Sequence, residues 1–392
     1  MTAAAAPTIF ISTGEASGDL HGAKLAAALM RQRPGCRVAG MGGHAMRAAG
    51  ARVLVGNEDL GVVGLWEVLA HGGAIWRAYR AVKQWLSAER PDVVVLVDYP
   101  DFHFQIARLA KRLGLRVVYY ISPQIWAWRS GRVRTVARLV DHMMVILPFE
   151  VDLYRSAGVP CTLIGHPLLD DVQAAPTRAD ARARLGLPPA QPVVGLFPGS
   201  RRAEIRRHLP VMLAAARRLA SLRPDALFLV SHASSIPQEE FDRHLRHAGL
   251  PVRVHRGEPT AMLAAADAAM TVSGTITLQA ALFQLPMVII YKVATLTWLA
   301  ARLLVRVPHV SLPNLIAGEP IVPELLQSAA TPEAIGDCLA QWLANPDELA
   351  ALRKRLAGVR DRLGEAGGSE KAAATIFQCL EQWRGSREAG AP

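Results

Sequence analysis

Short uninterrupted apolar runs, each closed by glycine, proline or hydroxyl residues, alternate with longer stretches of helical periodicity along this chain. Thr8 to Ser12 reads as a buried strand ending in a glycine loop, with a helix from about His21 to Arg33 capped by Ser17 or Asp19. Arg37 to Gly40 and Ala51 to Val55 read as further strands. Asp92 to Asp98 is a continuous β-branched run, the pattern of a parallel strand covered on both faces. A helix is predicted over Phe102 to Leu113, with Asp101 as its N-cap. Strands follow at Arg116 to Ile121, Asp141 to Leu147 and Cys161 to Ile164. After an Ala/Arg/Asp/Pro-rich stretch the pattern restarts, with strands at Pro192 to Phe197, Ala226 to Ser231, Val252 to His255, Ala268 to Val272 and Pro286 to Tyr291, and a helix over Ile205 to Ser221. Strands alternating with helices predict α/β architecture with parallel sheets. Two halves that both open with strand, glycine loop and helix predict two Rossmann-like domains facing a cleft. The boundaries fall at residues 1–167, 168–191 (a linker with one small helix inside it), 192–331 and 332–392 (C-terminal helices, packing back on the first domain or on a partner chain).

Composition narrows the class. The chain has 392 residues, 51% of them hydrophobic, which excludes a disordered or collagen-like chain. Four scattered cysteines without a C-x-x-C pair argue against a disulfide framework or zinc knuckle. A net charge of +11, carried mostly by arginine, favours anionic partners: nucleic acid, an anionic membrane surface or phosphorylated substrates, of which the last two are expected here and nucleic acid is not. The residues before Thr8 lack a basic n-region and a cleavage site, and the uncharged run Ala268 to Tyr291 contains Gly274, Gln279, Gln284 and Pro286. Neither reads as a signal peptide or a membrane span, so the expected location is cytoplasmic, in contact at most with a membrane surface.

Candidate chemistry sits just after the strands, where open α/β sheets bind ligands. Thr13-Gly-Glu-Ala-Ser-Gly-Asp19 follows the first strand; Gly14 and Gly18 permit close backbone approach, and an ordinary βα turn explains them equally well. Asp98 follows the Asp92 run with no capping duty and is the candidate general base. Ser122-Pro-Gln-Ile-Trp-Ala-Trp-Arg129 offers Gln124 and Trp126 as a sugar platform, against the commoner fate of tryptophan in a core. Gly199, Ser200 and Arg201, with Glu204 behind them, and Ser273, Gly274 and Thr275, ahead of Gln279, form two phosphate-type loops in one domain, suited to a nucleoside diphosphate. No D-x-D, Walker A, H-E-x-x-H or G-x-S-x-G motif occurs, and neither a metal nor a cofactor is expected. Two apolar stretches suit a membrane surface or acyl chains, or else a core: one containing Val62, Val63, Trp66 and Leu69, followed by Trp76, Tyr79 and Arg80, and one containing Trp298, Leu299 and Leu303.

Taken together, Gly14-Glu-Ala-Ser-Gly-Asp19, the tryptophan segment, Gly165-His-Pro-Leu168, Pro198-Gly-Ser-Arg201, Ser273-Gly-Thr275, Ser311-Leu-Pro-Asn-Leu315 and Val322-Pro-Glu-Leu-Leu-Gln327 resemble the lipid-A-disaccharide synthases, in order and over nearly the whole chain. The resemblance implies a GT-B type glycosyltransferase whose C-terminal domain holds a UDP-sugar and whose N-terminal domain holds an acylated acceptor. It implies an inverting transfer of 2,3-diacylglucosamine from UDP to 2,3-diacylglucosamine 1-phosphate, forming a β(1→6) bond, at the cytoplasmic face of the inner membrane and without a metal. It implies that Glu15, Ser17 and Asp19 line the acceptor side and that Asn314 lies near the donor or acceptor sugar. A transfer without a metal needs another source of positive charge for the leaving diphosphate, and Arg201 with the helix starts at Ser200 and Thr275 is the expected one. Two positions depart from the family pattern: Gln279 stands where glutamate is usual, and His103 where asparagine is usual. They keep open a related UDP-sugar enzyme, of 2-epimerase type or with another acceptor, and a non-catalytic lipid-binding paralogue.

Overall fold

A computed structural model describes residues 6–56, 67–123, 125, 130–246, 248–294, 298 and 307–389. The chain divides into two compact units, residues 1–167 with 364–392, and residues 168–363. Unit 1 contains β1 (Thr8–Thr13), α1 (Ala16–Gln32), β2 (Arg37–Gly42), α2 (His44–Ala48), β3 (Arg52–Gly56), α3 (Glu67–Glu89), β4 (Val93–Val97) and α4 (Pro100–Arg112). It continues through β5 (Val117–Tyr120), α5 (Val133–Leu139), β6 (His142–Val145), α6 (Pro148–Ser156) and β7 (Cys161–Leu163). Its seven strands pair in the order β3-β2-β1-β4-β5-β6-β7, parallel throughout.

The continuous Val93–Val97 run is explained by this order, since β4 is central and every residue in it is buried. Alternate side chains serve two cores. Phe10, Val94 and Leu96 pack with Val82, Leu86 and Phe104 on one face of the sheet. Ile9, Ile11 and Val95 pack on the other face with Leu25 and Leu29 of α1.

Unit 2 contains α7 (Leu168–Gln173), α8 (Arg178–Arg184), β8 (Val193–Phe197), α9 (Arg202–Leu222), β9 (Leu227–His232), α10 (Gln238–Leu245), β10 (Arg253–Arg256), α11 (Thr260–Ala265), β11 (Ala268–Val272), α12 (Thr275–Leu282) and β12 (Met287–Tyr291). It closes with α13 (Leu312–Ala317), β13 (Glu324–Leu326), α14 (Pro332–Ala344) and α15 (Pro346–Leu363). Six parallel strands pair in the order β10-β9-β8-β11-β12-β13. The last helix, α16 (Gly368–Ala389), belongs to unit 1: Ala372, Ala373, Ile376, Phe377 and Leu380 lie in the same core as Ile9, Ile11 and α1.

Several sequence expectations are revised. The stretch 168–191, expected as a linker with one small helix, forms two helices within unit 2. The buried Arg182 ties it there, donating to the carbonyls of Ala265, Pro188, Pro189 and Gln191 and pairing with Asp267 at 2.6 Å. Helix α1 begins at Ala16 rather than near His21, and α4 begins at Pro100 with Tyr99 at the N-cap, so Asp101 is not the cap. No described helix is long and apolar enough to cross a membrane.

Candidate functional site

In unit 1 the chain reverses direction across the sheet between β1 and β4, the switch point at which open α/β sheets bind ligands. The loop after β1 brings Gly14 and Glu15 to this edge, the first turn of α1 brings Ser17, and the turn after β4 brings Asp98 and Tyr99. Asp98 and Tyr99 are consecutive left-handed residues, with φ of 51° and 52°, and neither is glycine. Such backbone costs on the order of 1–3 kcal/mol per residue and persists only where its surroundings hold it. Here the Asp98 carbonyl accepts from His103 Nδ1 at 2.6 Å and from the Tyr119 hydroxyl at 2.7 Å. The fully buried His103 also meets Ser12 Oγ through Nε2 at 2.9 Å. A carbonyl carries no proton, so Nδ1 is the protonated nitrogen and Nε2 accepts from the serine. Burial holds the His103 pKa down to about 4, the Asp98 carbonyl opposing it only in part, so the ring is neutral at physiological pH.

Gly14 packs directly under the Tyr99 ring. A Cβ at position 14 would lie 2.1 Å from Tyr99 Cγ. The glycine is there for close approach of a side chain to backbone, a reason that a βα turn alone does not provide. Asp98 keeps an exposed edge, yet the protein packed about its carboxyl thins its hydration and raises its pKa. A backbone hydrogen bond from Tyr99 opposes this shift, and the charge of Glu15 adds to it. An exposed carboxylate with raised basicity at a strand end has the properties of a general base. Glu15, whose charge reaches Asp98, and Ser17 are both exposed.

Asp19 is a correction. Its carboxylate is buried and accepts from the backbone N–H groups of Gly43 (2.6 Å), Ala45 (2.8 Å) and Met46 (3.4 Å). It caps α2 and ties α1 to the end of β2, so it does not line an acceptor site. Gln124, Trp126, Val62, Val63, Trp66, Leu299 and Leu303 lie outside the described residues. Leu69 falls in α3, and Trp298 is half-buried, its backbone N–H donating to the Ala294 carbonyl at 2.9 Å. On α3, Trp76 is 59% exposed with the Arg80 guanidinium 5.3 Å from its ring centroid.

Unit 2 has its own switch point, between β8 and β11. A cavity of about 430 Å³ opens there, and all seven residues expected at a nucleotide line it: Gly199, Ser200, Arg201, Ser273, Gly274, Thr275 and Gln279. Their loops differ in what they still offer. Glu204 Oε2 accepts from the N–H groups of Ser200 (2.9 Å) and Arg201 (3.2 Å), the N3 half of a capping box at the start of α9, which the Arg201 side chain, a donor only, does not reciprocate. The amides that the Gly199 loop was expected to present to phosphate are therefore paired internally, and Gly199 is the residue whose missing Cβ leaves room for that carboxylate. The Arg201 side chain remains 83% exposed, its guanidinium 3.8 Å from Glu204 Oε1. The start of α12 is different, because no side chain caps it and Gly274 stands at its N-cap. The partial positive charge of its first amides faces the cavity.

Sequence reasoning missed Ser231, Ser234, Gly257 and Glu258, which add polar groups and backbone to the lining from the ends of β9 and β10. The strand-end rule that selected the two glycine loops would have found them. Asn314 is the second correction. It is fully buried; Nδ2 donates to Val322 O (2.9 Å) and Glu324 Oε1 (2.8 Å), and Oδ1 accepts from the N–H groups of Ile321 (2.9 Å) and Val322 (3.1 Å). All its hydrogen bonds are spent on Ile321 and Val322, in the segment that leads into β13, and on Glu324 at the start of that strand, which leaves none for a sugar. Glu324 also receives the Val310 and Ser311 N–H groups, while the Val310 carbonyl accepts from Ser273 Oγ at 3.0 Å. The Asn314–Glu324 pair thus braces the Ser273 loop from behind.

A family model described as lipid-A-disaccharide synthetase matches residues 9–375. A lipid-A-disaccharide synthase from Geobacter metallireducens is 46% identical over 376 residues, covering 96% of this chain and 98% of the relative. Among solved structures, the calicheamicin glycosyltransferase CalG4 superposes with a TM-score of 0.61 at 17% identity, covering 96% of this chain and 99% of that one. A UDP-GlcNAc 2-epimerase from Neisseria meningitidis superposes with a TM-score of 0.60 at 11% identity, covering 95% and 99%. These two likenesses identify the fold as GT-B.

Proposed function

Because the chain belongs to the lipid-A-disaccharide synthetase family, we propose that it transfers 2,3-diacylglucosamine from UDP to the 6-hydroxyl of 2,3-diacylglucosamine 1-phosphate. The anomeric centre inverts, a β(1→6) bond forms, and UDP leaves. The observation that carries this reading is the unit 2 cavity, where seven residues chosen for a nucleoside diphosphate line one space at the strand switch.

The chemistry divides between the units. In unit 1, Asp98 accepts the proton of the acceptor hydroxyl as the hydroxyl oxygen attacks the anomeric carbon, and Glu15 and Ser17 hold the acceptor. In unit 2 the bond from the anomeric carbon to the diphosphate oxygen breaks. The negative charge that develops on UDP is met by the exposed Arg201 guanidinium and the uncapped amides at the start of α12. Gln279 takes the ribose hydroxyls with one acceptor and one donor. A surface with exposed Trp76 over Arg80 and a net charge of +11 suits peripheral contact with the anionic inner face of the membrane, where acylated substrates reside. Calorimetric titration with UDP tests the donor half. Arg201→Ala weakens UDP far more than uridine, and equal weakening of both refutes the diphosphate role.

A further inference from the structure

We infer that His103 is a positioning residue for the transfer: its Nδ1–H holds the Asp98 carbonyl and thereby fixes the left-handed turn that presents the Asp98 carboxyl. The inference rests on the reading of Asp98 as the base. Two successive residues with φ near +50°, both non-glycine, need an external clamp, and two donors converge on one carbonyl oxygen to supply it. Of these, the Tyr119 hydroxyl turns about a single bond. His103 is gripped at both ends, by the Asp98 carbonyl at 2.6 Å and by Ser12 Oγ at 2.9 Å, with no exposed surface. Ser12 sits on β1 and pairs in register with Leu96 of β4, so the ring references the Asp98 turn to the two central strands of the sheet. The neutral state of the ring keeps one tautomer, and hence one direction of the clamp, across the neutral pH range.

The two ends of the imidazole are separable by substitution. In His103→Asn the amide nitrogen falls where Nδ1 was and still reaches Asp98, but the side chain ends short of Ser12. In His103→Gln the amide reaches toward Ser12 and the donor to Asp98 is lost. Steady-state kinetics for both substrates, with melting temperatures, compare the two variants and Asp98→Asn. The expected result is that His103→Asn stays within about tenfold of wild-type kcat. His103→Gln loses on the order of 10²-fold in kcat with KM for either substrate little changed, the size expected for a reacting group misplaced by about 1 Å. Equal kcat in the two variants, or losses that track melting temperature alone, overturn the inference while leaving Asp98 as base. Full activity in Asp98→Asn overturns the base assignment itself. Should His103→Gln not fold, His103→Leu removes both ring nitrogens at similar volume; a kcat well below that of His103→Asn at constant KM supports the clamp, and a kcat equal to that of His103→Asn overturns it.

Discussion

Gly14→Ala tests how tightly the acceptor-side loop is built against the Asp98 turn. The added Cβ falls 2.1, 2.3 and 2.6 Å from Tyr99 Cγ, Cδ1 and Cδ2. Real contacts of this kind stay beyond about 3.0 Å, so the ring must withdraw by roughly 1 Å. Cγ is the root of the ring and cannot swing away as a flexible tip would, so the shift passes to the Tyr99 backbone, already at φ 52°. Overpacking of this kind costs about 1–3 kcal/mol. For a unit of this size each kilocalorie lowers the melting midpoint by about 2–4 °C, giving a loss of about 2–12 °C. Because Asp98 precedes Tyr99 in the same turn, kcat falls as well, on the order of 10²-fold. The assay is a double-mutant cycle with Tyr99→Ala, read by denaturant unfolding. Removing the ring makes room for the new Cβ, so the double mutant is more stable than the sum of the single changes predicts by about 1–3 kcal/mol. Strict additivity, or a fully stable and active Gly14→Ala, refutes the packing argument.

Three further outcomes follow from the same structure. Gln279→Glu replaces a neutral acceptor by a charged one at the ribose, worth about 1 kcal/mol, so the Kd for UDP falls about fivefold; 2′-deoxy-UDP gains less, and an equal gain refutes the ribose contact. Asn314→Ala strands the Ile321 and Val322 amides and costs on the order of 3 kcal/mol in unfolding, while UDP-sugar KM changes little; a large KM effect without destabilisation restores a sugar contact. His103 has a folded pKa of about 4 against an ordinary 6.5, so the unfolded chain binds its proton first as pH falls. The stability it contributes is present above pH 6.5 and fades between 6.5 and 4, by roughly 3 kcal/mol, so His103→Asn loses less stability than wild type over that window when unfolding is followed by urea titration.

The strands were legible because those buried on both faces are written as unbroken apolar runs, Val93–Val97 above all. The glycine loops were legible because they interrupt those runs. The three-residue edge strand β13 was missed, since Glu324 and its neighbours are only half-buried and carry no run. The start of α4 was misplaced because its turn depends on two left-handed residues whose clamps, His103 and Tyr119, come from α4 and β5. Asp19 and Asn314 were misassigned for one reason. A buried polar side chain that satisfies backbone amides and one that waits for a ligand have the same letter and the same neighbours in sequence. Only the positions of Gly43 and Ile321 separate the two cases. Glu204 shows the converse, because its capping role is written three residues after Arg201, yet its consequence, that the Ser200 and Arg201 amides are already paired, appears only in the geometry.

The central claim is a transfer between two acylated sugars, and UDP release measures it most directly. Purified protein in detergent receives UDP-2,3-diacylglucosamine, with and without 2,3-diacylglucosamine 1-phosphate. The account predicts release that depends on the acceptor, with one β(1→6) disaccharide 1-phosphate formed per UDP. Release without the acceptor, or none from the folded protein with both substrates present, contradicts it.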